Sequence, residues 1–227
     1  MKVTFLYHSS YFVEMDTCCL LFDYYQGTSP GGQALYVFAS HSHGDHFSPV
    51  IFQLAQGGKE VHYLLSDDIS PLQVPKELKS QVTFLAPYAF CQVGAVQVAT
   101  LRSTDMGVAF LIQCEGKRLY HAGDLNCWVW DGARFQNDQM RALYRQELQL
   151  LSGGKKIDVA FVPLDPRQEA DFDLGMKYFF EIAGADHVFP MHMWGLLGGA
   201  AVQVHPHLPG VRGPGDGCEG PGPGVRA

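Results

Sequence analysis

From Phe38 to Phe47 the chain reads FASHSHGDHF, and no other stretch limits the possible folds as tightly. Immediately before it, ALYVFA at 34–39 is the kind of apolar run that forms a buried strand. Immediately after it, Ser48 can cap a helix and Pro49 suits its first turn. Val50, Ile51 and Leu54 give that helix one apolar face, and Gly57 and Gly58 stop it. The loop between must turn tightly through Gly44 while presenting His41, His43, Asp45 and His46. Where a loop leaves a strand, His41 and His43 project from alternate positions to the same side, so both can meet one cation at about 2.0–2.1 Å. Asp45 and His46 then serve a neighbouring position. A surface loop that happens to be rich in histidine is the bland alternative. It fits poorly with three histidines and an aspartate locked between a strand and a helix N-terminus.

The rest of the chain can bury such a loop. Of its 227 residues, 47% are hydrophobic and 17% charged, the profile of a folded protein with a sizeable core. Runs at 3–7, 19–25, 61–65, 82–86, 95–101, 107–114 and 117–123 read as further strands, and DVAFVPL at 158–164 as a buried one. A second helix carries Met140, Leu143, Tyr144, Leu148 and Leu151 on one stripe and ends at Gly153 and Gly154. A third carries Leu174, Tyr178 and Ile182 and ends at Gly184. Helices apolar on one face only, interspersed among strands, predict an α/β (α+β) arrangement of paired sheets covered by helices on the outside.

Length favours one large domain, placed at residues 1–194. Beyond it, residues 195–227 hold ten glycines and five prolines with little periodic hydrophobicity, which predicts a disordered Gly/Pro-rich tail. The net charge of −7 comes from 23 acidic and 16 basic residues, and no basic run could track a phosphate backbone, so nucleic acid is not an expected partner. No run of 18 apolar residues occurs, and the opening MKVTFLYHSSYF does not form a signal-peptide core, so no membrane is expected and a cytoplasmic location is. Cys18, Cys19, Cys91, Cys114, Cys127 and Cys218 show no CxxC spacing and read as reduced thiols. Nothing here signals an oligomeric state.

The pattern HxHxDH, met by His41, His43, Asp45 and His46, resembles the signature of the metallo-β-lactamase superfamily. The resemblance extends over roughly residues 1–193 and implies a four-layer αββα sandwich with a metal site at one edge, between the sheets. It also implies two further ligands. Asp124 in YHAGDLN stands where the family places an aspartate bridging two metals, and His192 in VFPMHMW follows a short strand where the family places its last histidine. The implied metal set is thus His41, His43, Asp45, His46, Asp124 and His192. Imidazoles and carboxylates suit one or two zinc ions, with iron or manganese as alternatives. A flavodiiron-like redox centre is disfavoured, because such relatives replace the second histidine of the motif with glutamate.

One departure stands out. The family normally supplies another histidine where this chain reads LRSTDMGVAF, with Ser103, Thr104 and Asp105 instead. The position beside His41, His43 and Asp124 then falls to water, Ser103 or Asp105, with His62 a weak substitute in a core strand. Around the site, His8 falls where lactonase-like and phosphodiesterase-like relatives carry a histidine near the metal, and a structural role fits it equally. Asp23 and Asp165 lie at strand ends that could face the same edge. Asp165 could orient a ligand histidine, and Arg167 could meet a substrate anion or form a surface ion pair. His121 and Trp128 could be core or rim.

The resemblance implies a hydrolase, with two divalent ions roughly 3.5–4 Å apart lowering the pKa of a bridging water. Asp45 would be the catalytic residue, fixing the hydroxide and able to accept its proton. The expected partner is a small-molecule substrate: an ester, lactone or phosphodiester. The competing expectation is a metal-binding or sensing protein whose missing histidine has ended turnover.

Overall fold

The computed structural model describes residues 1–26, 34–56 and 58–194. The Gly/Pro-rich tail expected at 195–227, and Gly57 as a helix stop, lie outside the described residues. Strands β1 (Lys2–Tyr7), β2 (Ser10–Glu14), β3 (Cys18–Phe22), β4 (Ala34–Ala39), β5 (Val61–Ser66) and β6 (Val82–Leu85) form one sheet in that order. The second sheet runs β12 (Ala185–Met191), β11 (Ile157–Pro163), β10 (Lys117–His121), β9 (Val108–Cys114), β8 (Val96–Arg102), β7 (Phe90–Val93). Both are mixed. In the first, β1–β2 and β2–β3 pair antiparallel and β3 to β6 pair parallel. In the second, β12, β11 and β10 pair parallel and the rest antiparallel.

Strand alternation sorts side chains into layers. In the first sheet Tyr11, Val13, Leu20, Phe22, Phe38 and Leu64 belong to the core shared with the second sheet, while their neighbours Phe12, Leu21, Val37, Ala39, Tyr63 and Leu65 belong to a separate outer cluster. Helical turns at Pro49–Ala55, Pro71–Gln73 and Lys76–Gln81 accompany this first sheet, with Ile51, Phe52, Leu54, Val74 and Leu78 in that outer cluster. On the second sheet, α1 (Arg134–Gln149) and α2 (Leu174–Ile182) bring Tyr144, Leu148 and Phe179, the last stacked on Tyr120 at 5.6 Å. The four layers are therefore helical, sheet, sheet and helical, the expected αββα sandwich.

Several details differ from the sequence reading. The helix opened by Ser48 is a 3₁₀ turn, with Ser48 Oγ accepting from Val50 N. Residues three apart eclipse in that winding, which suits Ile51 and Leu54, three apart and both buried. Strands β2 and β7 were not anticipated. SYFVE is buried along nearly its whole length and shows no alternation, and FCQV is a four-residue edge strand. Among the described residues no helix is long and apolar enough to cross a membrane.

Strand direction is what positions the site. Two antiparallel pairings return the chain to its starting sense, so β1 runs with β3 and β4, and β8 runs with β10, β11 and β12. The residues that follow these strands, His8, Asp23, Ser40, Ser103, Ala122, Leu164 and His192, therefore leave at the same end of the sandwich. Ligands of open sheets commonly gather at the carboxyl ends of strands.

Phe161 holds the sheets together: wholly buried, its ring lies 4.4 Å from Tyr11, 5.6 Å from Phe22 and 5.9 Å from Phe189. Phe161→Ala is expected to cost about 3–5 kcal/mol. Tyr11→Phe, which removes the Tyr11 hydroxyl bond to the Pro190 carbonyl across the same seam, is expected to cost about 1 kcal/mol. Urea denaturation of both variants checks the order.

Candidate metal centre

The site residues lie in the loops that follow strands, and the backbone at several of them is unusual. His8, Asp23 and His192 have φ of 52°, 43° and 62°, a region that costs a non-glycine residue energy and is held only where surrounding structure dictates it. Two glycines let the loop after β4 sit against the second sheet. Gly107 (φ +69°) faces the Ser40 carbonyl and Gly123 (φ +52°) faces the Ser40 side chain, so closely that a Cβ on either would collide. Val108 N then donates to Ser40 O at 2.9 Å and locks the loop in place.

The side chains converge on Asp124. Its Oδ1 lies 2.8 Å from His192 Nε2 and 3.2 Å from His46 Nε2, and its Oδ2 lies 3.6 Å from His41 Nε2. His41 Nε2 is 3.0 Å from His43 Nδ1. Two sets of donor atoms emerge, each close enough to hold one cation: His41, His43 and Asp124, and His8, His46 and His192. His8 packs 4.3 Å from His192, ring to ring.

The nitrogens facing away from Asp124 are held in turn. Asp23 Oδ2 accepts from His46 Nδ1 and from Ser40 Oγ, and Asp23 Oδ1 accepts from Ser40 N, each at 2.7 Å. Ser40 Oγ is 3.0 Å from His41 Nδ1, and Asp165 Oδ2 is 3.3 Å from His192 Nδ1. Metal-ligating histidines are typically oriented this way, with the far ring nitrogen on a carboxylate or hydroxyl. By contrast, the buried atoms His8 Nε2, His46 Nε2, His192 Nε2 and Asp124 Oδ1 face charged partners at 2.8–3.3 Å, His8 on Asp45 and the others on one another, without meeting them in hydrogen-bond geometry. Buried polar atoms are seldom left so, and four aimed at one region fit a cation as their missing partner.

Charge agrees. Burial opposes ionisation of Asp124, yet the surrounding imidazoles, His192 and His46 foremost, hold its carboxyl far below the usual range. Burial also opposes protonation of His192, but Asp124 and Asp165 raise it to about 9, so it shares a proton that a metal would displace. His41, with burial dominant, falls to about 4 and offers a neutral imidazole.

Asp45 is placed apart from this convergence. Its carboxylate, partly exposed, pairs with His8 Nε2 at 3.3 Å, which holds it ionised, and it belongs to neither donor set. Asp105 joins neither set and lines the cavity beside Asp124, and Ser103 Oγ accepts from Asp105 N. Thr104 Oγ1 bonds the Asn126 backbone. His62 lies elsewhere, against Glu60 and Tyr36. His121 is wholly buried, stacked on Phe22 and bonded to the Ser9 carbonyl. Ser40 was missed by sequence reading, and only its place inside the motif could have suggested it.

Comparison with known proteins follows the same lines. A family model described as the beta-lactamase superfamily domain matches residues 2–132. A UPF0173 metal-dependent hydrolase of Alkaliphilus metalliredigens is 25% identical over 210 residues, covering 85% of each chain. One of Korarchaeum cryptofilum is 27% identical over 225 residues, covering 92% of this chain and 90% of the relative. Among solved structures, Igni18, a metallo hydrolase from Ignicoccus hospitalis, matches with a TM-score of 0.55 at 19% identity over 84% of this chain and 81% of its own. The metallo-β-lactamase fold protein YhfI of Bacillus subtilis matches with a TM-score of 0.51 at 16% identity, over 82% and 78%. At these identities the structural likeness speaks for the shared fold alone.

Asp23→Asn keeps the shape of the side chain but weakens its grip on His46. It is expected to lower metal affinity by about 10–100-fold with stoichiometry retained. Competition against a chromophoric chelator measures this, and unchanged affinity would remove Asp23 from the supporting shell.

Proposed function

The chain belongs to the β-lactamase superfamily, the family whose model covers residues 2–132, and on that premise we propose that it is a metal-dependent hydrolase of a small ester, lactone or phosphodiester. The observation that carries the reading is the convergence of His41, His43, His46 and His192 on the single buried carboxylate of Asp124. Relatives described as metal-dependent hydrolases support it along most of the chain.

The residues present fit divalent ions. His41, His43 and Asp124 would hold one, and His46, His192 and Asp124, with His8 at hand, a second. The donor set suits zinc. Bound there, such ions supply Lewis acidity to a carbonyl or phosphoryl oxygen and lower the pKa of water towards neutrality. The chain's own residues do the rest. Asp124 offers one oxygen to each side and keeps the two donor sets in register. Asp23, Ser40 and Asp165 fix the ring orientations, so that no reorganisation is needed when substrate arrives. Asp45, outside both donor sets and paired with His8, would accept a hydrogen bond from the attacking water and take up its proton. The adjoining cavity, about 380 Å³ and reaching Asp124, is of a size for a small molecule.

A second reading has one observation in its favour. The set containing His41 and His43 has only those two imidazoles and Asp124, with no further His, Cys, Asp or Glu among the described residues joining them. A site that binds one ion tightly and turns nothing over would be a sensor. Metal analysis combined with a panel of generic ester, lactone and phosphodiester substrates separates the two. The proposal expects metal-dependent turnover that is removed by a chelator, restored by zinc and abolished in His43→Ala. One tightly held ion with no turnover on any substrate favours the sensor.

A further inference from the structure

The cavity beside the ligand cluster is lined by Thr104, Asp105, Asp124, Trp128, Trp130 and Arg167 among others. Two of its features bear on what it can hold. Trp128 and Trp130 lie parallel, with ring planes 4° apart and centroids 6.3 Å apart, and Trp130 is 45% exposed. An open flat ring at the rim of a cavity offers a face on which a planar group can stack.

The second feature is Arg167. Its Nε donates to Asp165 Oδ1 at 2.9 Å and to Oδ2 at 3.0 Å, and Nη2 donates to Oδ2 at 2.5 Å. Trp194 covers the guanidinium face at 4.6 Å. Asp165 is wholly buried and also serves His192 and Trp194, so the guanidinium is anchored to a carboxylate that cannot swing away. Nη1 makes no hydrogen bond among the described residues, and the side chain is 52% exposed where it lines the cavity. An arginine pinned on one edge, with the other edge unbonded among the described residues, is organised in advance for an anion, because little rotamer freedom remains to be lost on binding.

We infer that this cavity receives the part of the substrate remote from the bond to be cleaved, and that this part is a planar ring carrying a carboxylate or phosphate-like anion. The ring lies on Trp130 and the anion on Arg167 Nη1. The assignment rests on the reading that cleavage occurs at the Asp124 cluster.

All three tryptophans of the chain, Trp128, Trp130 and Trp194, border this region, so intrinsic fluorescence reports on it directly. The zinc-loaded protein is titrated with benzoate, phenylphosphonate, benzamide and cyclohexanecarboxylate. A saturable change is expected with benzoate or phenylphosphonate, the tighter of the two identifying the anion. Benzamide, which lacks the charge, and cyclohexanecarboxylate, which lacks the flat ring, are expected to bind about tenfold more weakly. Arg167→Gln should bring the anionic ring down to the level of benzamide, and Trp130→Ala should erase the preference over cyclohexanecarboxylate. Thermal unfolding confirms that each variant is folded. Should Arg167→Gln not fold, Arg167→Lys, which keeps the charge but not the fork, is expected to show a reduced preference. Equal affinities across the four probes would overturn the inference, as would a preference that survives in Arg167→Gln, since the anion would then sit on the metal. Turnover measured in parallel separates the two readings. Selective binding with no hydrolysis of any substrate counts against the hydrolase and leaves the subsite standing. Hydrolysis of uncharged esters with no ring or charge preference counts against the subsite alone.

Discussion

A single buried carboxylate organises this molecule. Asp124, 6% exposed, stands among three imidazoles at 2.8, 3.2 and 3.6 Å. An isolated carboxylate taken out of water costs several kcal/mol, and an interior tolerates it only when charge and hydrogen bonds are returned to it. Here the compensation comes from both halves of the sandwich. His41 and His46 follow β4 of the first sheet, Asp124 follows β10 of the second, and His192 follows β12. Neither sheet alone can satisfy the charge, so the site exists only when the two are docked.

That requirement propagates outward. The imidazoles must be aimed, and Asp23, Ser40 and Asp165 hold their far nitrogens. Those holders must themselves be fixed, which Asp23 achieves by bonding both the backbone and the hydroxyl of Ser40. Ser40 in turn is pressed against Gly107 and Gly123, where nothing larger than hydrogen fits. The left-handed backbone at His8, Asp23 and His192 is the strain that such a constellation stores, and the Phe161-centred core supplies the stability that carries it.

Much of this was legible in the sequence, and the reason is locality. The strand, loop and turn around His41, His43 and His46 are contiguous, so their meeting follows from backbone geometry over a few residues. The αββα layering was legible because apolar runs and one-faced helices leave few ways to bury themselves. Strand β2 escaped because SYFVE is buried on both faces and so carries no period to read. Asp45 is the instructive residue. Proximity in sequence suggested a ligand, but the carboxylate turns to His8, which arrives from the far side of the first sheet and competes for it.

What the amino-acid sequence determined by itself is the chemistry available: imidazoles and carboxylates spaced for a cation, a strand before them, a capped turn after, and enough apolar residues to enclose them. Only the tertiary structure decided which of those groups share a point in space. His8, Asp23, Asp124, Asp165 and His192 are scattered along the chain, and their convergence depends on strand order and on two antiparallel pairings that bring each carrier strand out at the same edge. Strand order and sheet stacking are set by burial and hydrogen bonding between distant segments, which leave no mark in any short window of the sequence.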